Sequence, residues 1–176
     1  TVTFTPFDSW QFRFGASQTV SYPGLIERSE SISYDPETDD VIVGNPFLQI
    51  STIDNLDFRV EYYFSDEESI SLAYFTKEIQ DPIEKARLDG SGSAAQGITF
   101  RNAISATVSG VELDASFNMF ETDSWLGFVS GNVSVIESEV ELDEDSLRLE
   151  GADSLGRELQ GQSPLLANLQ FGDRKS

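Results

Sequence analysis

Six short segments of this chain alternate apolar and polar residues, and the apolar side carries no charge in any of them. Trp10, Phe12, Phe14 and Ala16 share one face, with Gln11, Arg13, Gly15 and Ser17 on the other. Leu56, Phe58, Val60, Tyr62 and Phe64 oppose Asp57, Arg59, Glu61 and Tyr63. Ile70, Leu72 and Tyr74 oppose Ser69, Ser71 and Ala73, although Phe75 interrupts that polar face. Val111, Leu113, Ala115, Phe117 and Met119 oppose Glu112, Asp114, Ser116 and Asn118. Trp125, Val129, Val133 and Val135 share a face with Gly127 and Gly131; opposite them lie Leu126, Phe128, Ser130, Asn132 and Ser134, polar only in the later half. Leu165, Ala167, Leu169 and Phe171 oppose Leu166, Asn168 and Gln170. A period of two with aromatic and β-branched enrichment predicts strands rather than helices. Thr1–Thr5 reads as the end of another strand. A one-residue slip would move Arg59 or Glu112 onto the apolar face, so the register should be firmly held.

Alternation alone fits a soluble sandwich as well as a membrane wall. The connections discriminate. Pro6-Phe7-Asp8, Ser65–Glu68 and Glu121–Ser124 read as tight turns, whereas Thr19–Asp54, Gln80–Ala106 and Glu137–Ser163 read as long, polar loops. Loops beyond about 12–15 residues are uncommon in compact soluble domains, while outer-membrane barrels pair short periplasmic turns with long external loops. Phe4, Trp10, Tyr62, Phe64, Phe117, Phe120 and Trp125 flank the short turns, as an interfacial aromatic girdle would. The expected fold is therefore all-β: an antiparallel transmembrane β-barrel, here a partial barrel of about seven strands over residues 1–176. The rival is a soluble, acidic β-sandwich module binding a carbohydrate-like ligand, which would pack Trp10, Phe58, Phe117 and Val133 against a second sheet. A diffusible structural or adhesion protein is a third option.

Composition narrows the chemistry. With 11 Lys+Arg against 31 Asp+Glu, the formal charge is -20. That argues against nucleic acid, whose phosphates need Lys and Arg, and against docking on anionic lipid heads. The absence of Cys and His removes disulfides, thiolate chemistry and His-based metal sites or triads. No apolar run approaches the ~20 residues of a transmembrane helix. The chain begins at Thr1 without a signal peptide, which reads as a piece of a longer chain. Asp35-Pro36-Glu37-Thr38-Asp39-Asp40 lacks the EF-hand Gly at its sixth position, and its twelfth is Pro46, so it reads as a solvated turn rather than a calcium loop. Asp143-Glu144-Asp145 and Asp153 read the same way. Asp89–Ser93 is a flexible tip with no P-loop lysine after it, and the sequon Asn132-Val133-Ser134 lies within a strand. No cofactor, metal site or catalytic residue is expected, nor an enzyme.

Several motifs recur in a recognisable order: Phe14–Pro23 at a strand end, Tyr34-Asp35-Pro36-Glu37-Thr38 followed by Val43-Gly44-Asn45-Pro46-Phe47-Leu48, Asn55-Leu56-Asp57 with Glu61-Tyr62-Tyr63, Leu72–Ile79 with Asp81-Pro82-Ile83, Arg101-Asn102-Ala103 with Ser109-Gly110-Val111-Glu112-Leu113, and Leu159–Pro164. In order and spacing, over nearly the whole chain, these resemble the C-terminal part of a TonB-dependent receptor barrel. Phe47 departs from the family's acidic or amide residue, and Gln49-Ile50-Ser51 replaces its common Lys-Pro-Glu, so that loop is expected to fold differently. The resemblance implies a 22-stranded barrel, of which this chain supplies about seven strands, without the plug domain or the remaining strands. Alone it should not close, because open edges are costly in lipid. The resemblance further implies an outer-membrane receptor of a Gram-negative bacterium that takes up a scarce nutrient, such as a siderophore, vitamin or oligosaccharide. Its partners would be outer-membrane lipid, its own plug domain, the TonB inner-membrane energy complex and a small nutrient ligand. Loop residues with aromatic or charged tips are the ligand-contact candidates: Tyr22, Arg28, Tyr34, Asp35, Asp39 and Arg148. Asp57, Arg59, Glu61, Glu112 and Asp114 are the lumen-facing candidates, either touching the plug or substrate route, or forming an ion network that solvates the wall.

Overall fold

The computed structural model describes residues 1–37, 40–88, 97–121, 125–142 and 156–175. Its main element is an eight-stranded sheet. The strands are β1 (Val2–Phe7), β2 (Trp10–Ser21), β5 (Ser51–Tyr63), β6 (Ser69–Gln80), β9 (Ser105–Glu121), β10 (Trp125–Glu141), β11 (Gly156–Arg157) and β12 (Leu165–Lys175). Neighbours pair antiparallel in the order β1-β2-β5-β6-β9-β10, and β11 and β12 both pair with β10, at different positions along it. Between β2 and β5 come a single helical turn, α1 (Leu25–Arg28), and strands β3 (Ile32–Asp35) and β4 (Asp40–Val43). Between β6 and β9 come β7 (Ile83–Arg87) and β8 (Gly97–Asn102). These four short strands form a second sheet, β3-β4-β8-β7, in which β4 and β8 run parallel.

The registers carry each segment's apolar residues onto one continuous face. Phe14 opposes Phe58, Phe58 opposes Tyr74, Tyr74 opposes Val111, and Val111 opposes Val135. One rung away run Phe12, Val60, Leu72, Leu113, Val133 and Ala167. Burial is inverted relative to a water-soluble sheet. The apolar face is open, with Leu72 53%, Phe14 47% and Val133 45% exposed, while on the polar face Glu61 is 8% and Ser71 and Ser134 are each 7% exposed. In water, exposing such a continuous apolar face would be unfavourable by the area rule; against hydrocarbon it is the required surface. The sandwich expectation is thereby corrected. Trp10, Phe58, Phe117 and Val133 lie on an exposed or nearly exposed face rather than in a dry inter-sheet core.

The main strands outrun their apolar segments. β9 and β10 each span 17 residues, whereas a tilted membrane strand needs only about 9–11. The reason lies at the top of the apolar band. Gln18, Asp54, Glu78, Thr107 and Glu139 occupy one outward rung in consecutive register, and Gln18 Nε2 donates to Asp54 Oδ1 at 2.8 Å. Alternation reverses there, with Ile53, Ile79, Ala106 and Val140 on the inner face, while the hydrogen-bond ladder continues. The long connections consequently shrink to residues 22–50 and 81–104, and both hold structure of their own. At the opposite end, Asp8 and Ser9 turn β1 into β2, with Tyr63 N donating to Ser9 O at 2.9 Å. Ser65 Oγ accepts from Glu68 N at 3.2 Å in the next turn. The expected third tight turn falls largely on residues 122–124, outside the described residues. The aromatics near these turns form a chain of ring contacts. Trp10 meets Tyr62 at 5.0 Å, Tyr62 meets Phe64 at 4.8 Å and Phe64 meets Phe117 at 5.5 Å between centroids, within the range where edge and tilted pairs are favourable.

Phe75, which interrupts the polar face in sequence, lies over Gly110 of the neighbouring strand. A Cβ on Gly110 would sit 2.7 Å from Phe75 Cζ and 2.8 Å from Val135 O, so only glycine leaves room for the ring. Buried apolar side chains gather where the loops begin: Ala103, Ala106, Val140 and Leu142 cluster with Ile79 and Leu159 against them.

Candidate functional site

The polar face holds a patch of charge spread over three strands. Register places Arg13 of β2 directly opposite Arg59 of β5, an arrangement that is destabilising for like charges alone. Glu61 offsets it from the same strand, with Oε2 3.0 Å from Arg13 Nη2 and Oε1 3.8 Å from Arg59 Nη1. Arg59 Nη2 also donates to Asp114 Oδ2 of β9 at 3.0 Å and lies 3.8 Å from Glu112 Oε1. Asp114 Oδ2 accepts a second bond from Ser71 Oγ of β6 at 3.1 Å. Arg13 further donates to Gln11 Oε1, with Nη2 at 2.7 Å. Glu61 Oε2 receives charge compensation from Arg13 but no hydrogen bond of good geometry, although it is buried.

Four of the five lumen-facing candidates, Arg59, Glu61, Glu112 and Asp114, are thus brought together. The fifth, Asp57, is exposed on the same face opposite Gly15 and Phe75, and no ion pair of Asp57 is found among the described residues. Arg13 joins the patch although it was not among the sequence candidates. Its place on the polar face was legible, but its cross-strand position beside Glu61 depends on a register that one segment does not reveal.

At the loop end, Tyr22 follows β2 directly and is exposed. Arg28 closes α1, with Nε donating to Pro46 O at 3.4 Å. Tyr34 is exposed on β3. Asp35 ends β3 and accepts from Glu37 N through Oδ1 at 2.9 Å, a local turn bond of the Asx kind. Asp39 and Arg148 lie outside the described residues. The four described candidates all belong to the segment joining β2 to β5.

The motifs of that segment hold the rim together. Gly44 packs against the main-chain oxygens of Ser29 and Ile26 where α1 ends, leaving no space for a Cβ. Asn45 N donates to Glu27 O at 2.6 Å and Asn45 Nδ2 to Phe100 O at 2.9 Å, so one residue joins α1 to β8. Gln49 N donates to Asn102 Oδ1 at 2.8 Å, and Asn102 Nδ2 returns bonds to Gln49 O at 3.2 Å and Asp81 O at 2.7 Å. Ser51 Oγ donates to the same Asp81 oxygen at 2.8 Å. The Gly-Asn-Pro motif thus ties α1 to β8, while the Asn-Ala motif ties Gln49 to Asp81, whose oxygen it shares with Ser51. A second clasp, also absent from the sequence candidates, joins the next loop. Arg157 donates through Nη2 to Glu84 Oε2 at 2.6 Å and through Nη1 to Glu84 Oε1 at 3.3 Å, with Glu84 buried. The two residues lie 73 positions apart, with no local pattern linking them.

The profile of the family described as TonB dependent receptor-like, beta-barrel matches residues 1–174. This chain belongs to that family. Solved structures agree on the fold. The siderophore receptor PirA from Pseudomonas aeruginosa aligns over 98% of this chain and 33% of its own, with a TM-score of 0.58 and 16% identity. A mutant of the ferric enterobactin receptor PfeA from the same organism aligns over 97% of this chain and 31% of its own, with a TM-score of 0.53 and 16% identity. The RagAB peptide transporter aligns over 78% of this chain and 16% of its own, with a TM-score of 0.55 and 16% identity. No curated protein sequence matches this chain. The chain spans about a third of the length of the siderophore receptors it resembles. Its apolar face and its charged patch lie on opposite sides of the sheet.

Proposed function

We propose that this chain is part of the barrel wall of an outer-membrane receptor-transporter that takes up a scarce nutrient in a Gram-negative bacterium, driven by the inner-membrane TonB complex. The observation that carries the reading is the inverted burial: the charged and hydroxyl side chains are sheltered while the aromatic and aliphatic ones are open. In this reading the barrel is completed by strands of the same protein beyond residues 1–176, and its lumen holds a plug domain. The three carboxylates of the patch, Glu61, Glu112 and Asp114, outnumber its two guanidiniums, and Glu61 Oε2 has an unfilled hydrogen-bonding position. Both features favour a plug surface that brings a cation. Nutrient capture falls to the outer loops, with Tyr22, Arg28, Tyr34, Asp35, Asp39 and Arg148 as contacts. The family's transport role involves no covalent chemistry and needs no bound cofactor. A siderophore, vitamin or oligosaccharide fits the class of nutrient.

The test is fractionation of cells producing the full-length gene product, followed by gel migration of unheated and boiled outer-membrane extract. An outer-membrane protein whose migration changes on boiling is expected. A soluble product whose migration is unchanged overturns the reading.

A further inference from the structure

The lumen wall is divided by charge. Its charged residues, Arg13, Asp57, Arg59, Glu61, Lys77, Glu112 and Asp114, stand on β2, β5, β6 and β9. Across the β9–β10 seam, over the rungs from Ser130 to Ile136, the same face is neutral. Its positions are Ser130, Asn132, Ser134 and Ile136 on β10 and Leu166, Asn168 and Gln170 on β12. An open recess of about 410 Å³ follows this seam, lined by Ser116, Ser130, Asn132, Asn168 and Gln170, with Asp114 at its charged margin. That volume lies within the range of small-molecule sites.

The recess has hydrogen-bonding capacity to spare. Asn132 opposes Asn168, and Asn168 Nδ2 donates to Asn132 Oδ1 at 2.8 Å. That single bond leaves Asn132 Nδ2 and Asn168 Oδ1 without partners among the described residues, so the pair offers both donors and an acceptor. Ser130 and Gln170 face each other one rung away. Amides and hydroxyls exchange bonds with water and with solute hydroxyls at small net free energy, whereas a lysine, arginine or carboxylate here would hold an ionic solute more strongly.

We infer that this recess is a low-affinity binding site for neutral solutes rich in hydroxyl or amide groups, lying on a water-filled lane between β10–β12 and the plug. The inference rests on the receptor reading, which supplies the lumen and the plug. Its test uses the full-length receptor in outer membranes, with Ser130→Cys, Gln170→Cys and, on the charged wall, Ala73→Cys as separate variants. Heat-modifiable migration is checked first in each. A soluble, unmodified product overturns the receptor reading itself, whereas folded receptor isolates the site. A membrane-impermeant thiol reagent is then added alone, with maltotriose, or with glucuronate. At Ser130→Cys and Gln170→Cys, labelling is expected in the resting receptor, slowed at least threefold by maltotriose and unchanged by glucuronate. Ala73→Cys should respond to neither. Adding Asn132→Leu and Asn168→Leu to Ser130→Cys should abolish the slowing without abolishing labelling. Absence of labelling at the neutral positions, absence of slowing by maltotriose, or equal slowing by glucuronate would each overturn the site.

Discussion

Placing an arginine at Leu113 tests whether the open apolar face meets hydrocarbon. Leu113 lies between Leu72 and Val133 in register, on a central rung of the band, and is 45% exposed. If that face meets water, Leu113→Arg is an ordinary surface change, within about 0.5 kcal/mol of neutral. If it meets lipid near the bilayer midplane, the cost is about 2–4 kcal/mol, which shifts the folding equilibrium roughly 30- to 700-fold. Glu139→Arg supplies the control. It is on the same outward face of β10, but in the rung with Thr107, Glu78 and Asp54 above the band, where the expected cost falls to about 0–1 kcal/mol. The assay is urea unfolding of full-length receptor folded into lipid vesicles, read by heat-modifiable migration. Equal midpoints for the two variants, or a Leu113→Arg cost below about 0.5 kcal/mol, would refute the assignment of this face to lipid.

Three further outcomes follow from the contacts. Glu61→Gln removes the charge that offsets the facing Arg13 and Arg59. Since both guanidiniums keep substantial access to solvent, the expected loss is about 1–2 kcal/mol, below that of a fully buried pair, measurable as a lower urea midpoint in vesicles. Arg157→Ala strands the buried Glu84 carboxylate at a local cost of about 3 kcal/mol. Faster cleavage of the outer loops by protease added to intact cells, with unchanged barrel migration, is the expected signature; unchanged cleavage would show that the clasp does not order them. Gly110→Ala forces a methyl against Phe75 Cζ and Val135 O and should cost about 1–3 kcal/mol as overpacking. Phe75→Leu in the same chain should recover part of that loss in urea unfolding, but the Val135 oxygen prevents full recovery.

The strands of the large sheet were legible because their signal is local. Period-two alternation needs no knowledge of the partner strand, so Phe14, Phe58, Leu113 and Val133 assigned themselves to a face. The signal failed where the environment changed within a strand. Above the rung of Gln18, Asp54 and Glu139 the apolar residues change sides: Ile53, Ile79, Ala106 and Val140 form the next rung on the inner face, so the single-face rule stops although β5 continues to Ser51 and β10 to Glu141. The outer sheet was illegible for a different reason. β3 and β4 have four residues each, too few to establish a period, and β4 finds its parallel partner β8 across the next long loop. In the candidate site, the shared polar face of Arg59, Glu61, Glu112 and Asp114 could be read, but their ion pairs could not. Arg13 reaches Glu61 only once β2 and β5 have aligned, and Arg59 reaches Asp114 only once β5, β6 and β9 have.

That alignment and the face rule enforce each other. Sliding β5 by one position would turn Asp57, Arg59 and Glu61 outward and Phe58 and Val60 inward. Arg59 alone would then cost about 2–4 kcal/mol near the bilayer midplane, while Asp114 would lose its guanidinium partner. A two-residue slide would preserve the faces but carry Arg59 away from Asp114 and Ser71 and shift the aromatic contact of Trp10 with Tyr62. The hydrophobic pattern therefore excludes odd slips, and the charge patch with the girdle selects among even ones. A variant with Arg59→Leu and Asp114→Leu removes the charge contacts between β5 and β9 and leaves the girdle in place. Disulfide trapping should then detect β5–β6 pairs displaced by two residues, through Val60→Cys with Tyr74→Cys, whereas the parent should cross-link Val60→Cys only with Leu72→Cys, its register partner. Retention of the parent cross-link alone would show that the turn at 64–68 sets the register without help from the charges.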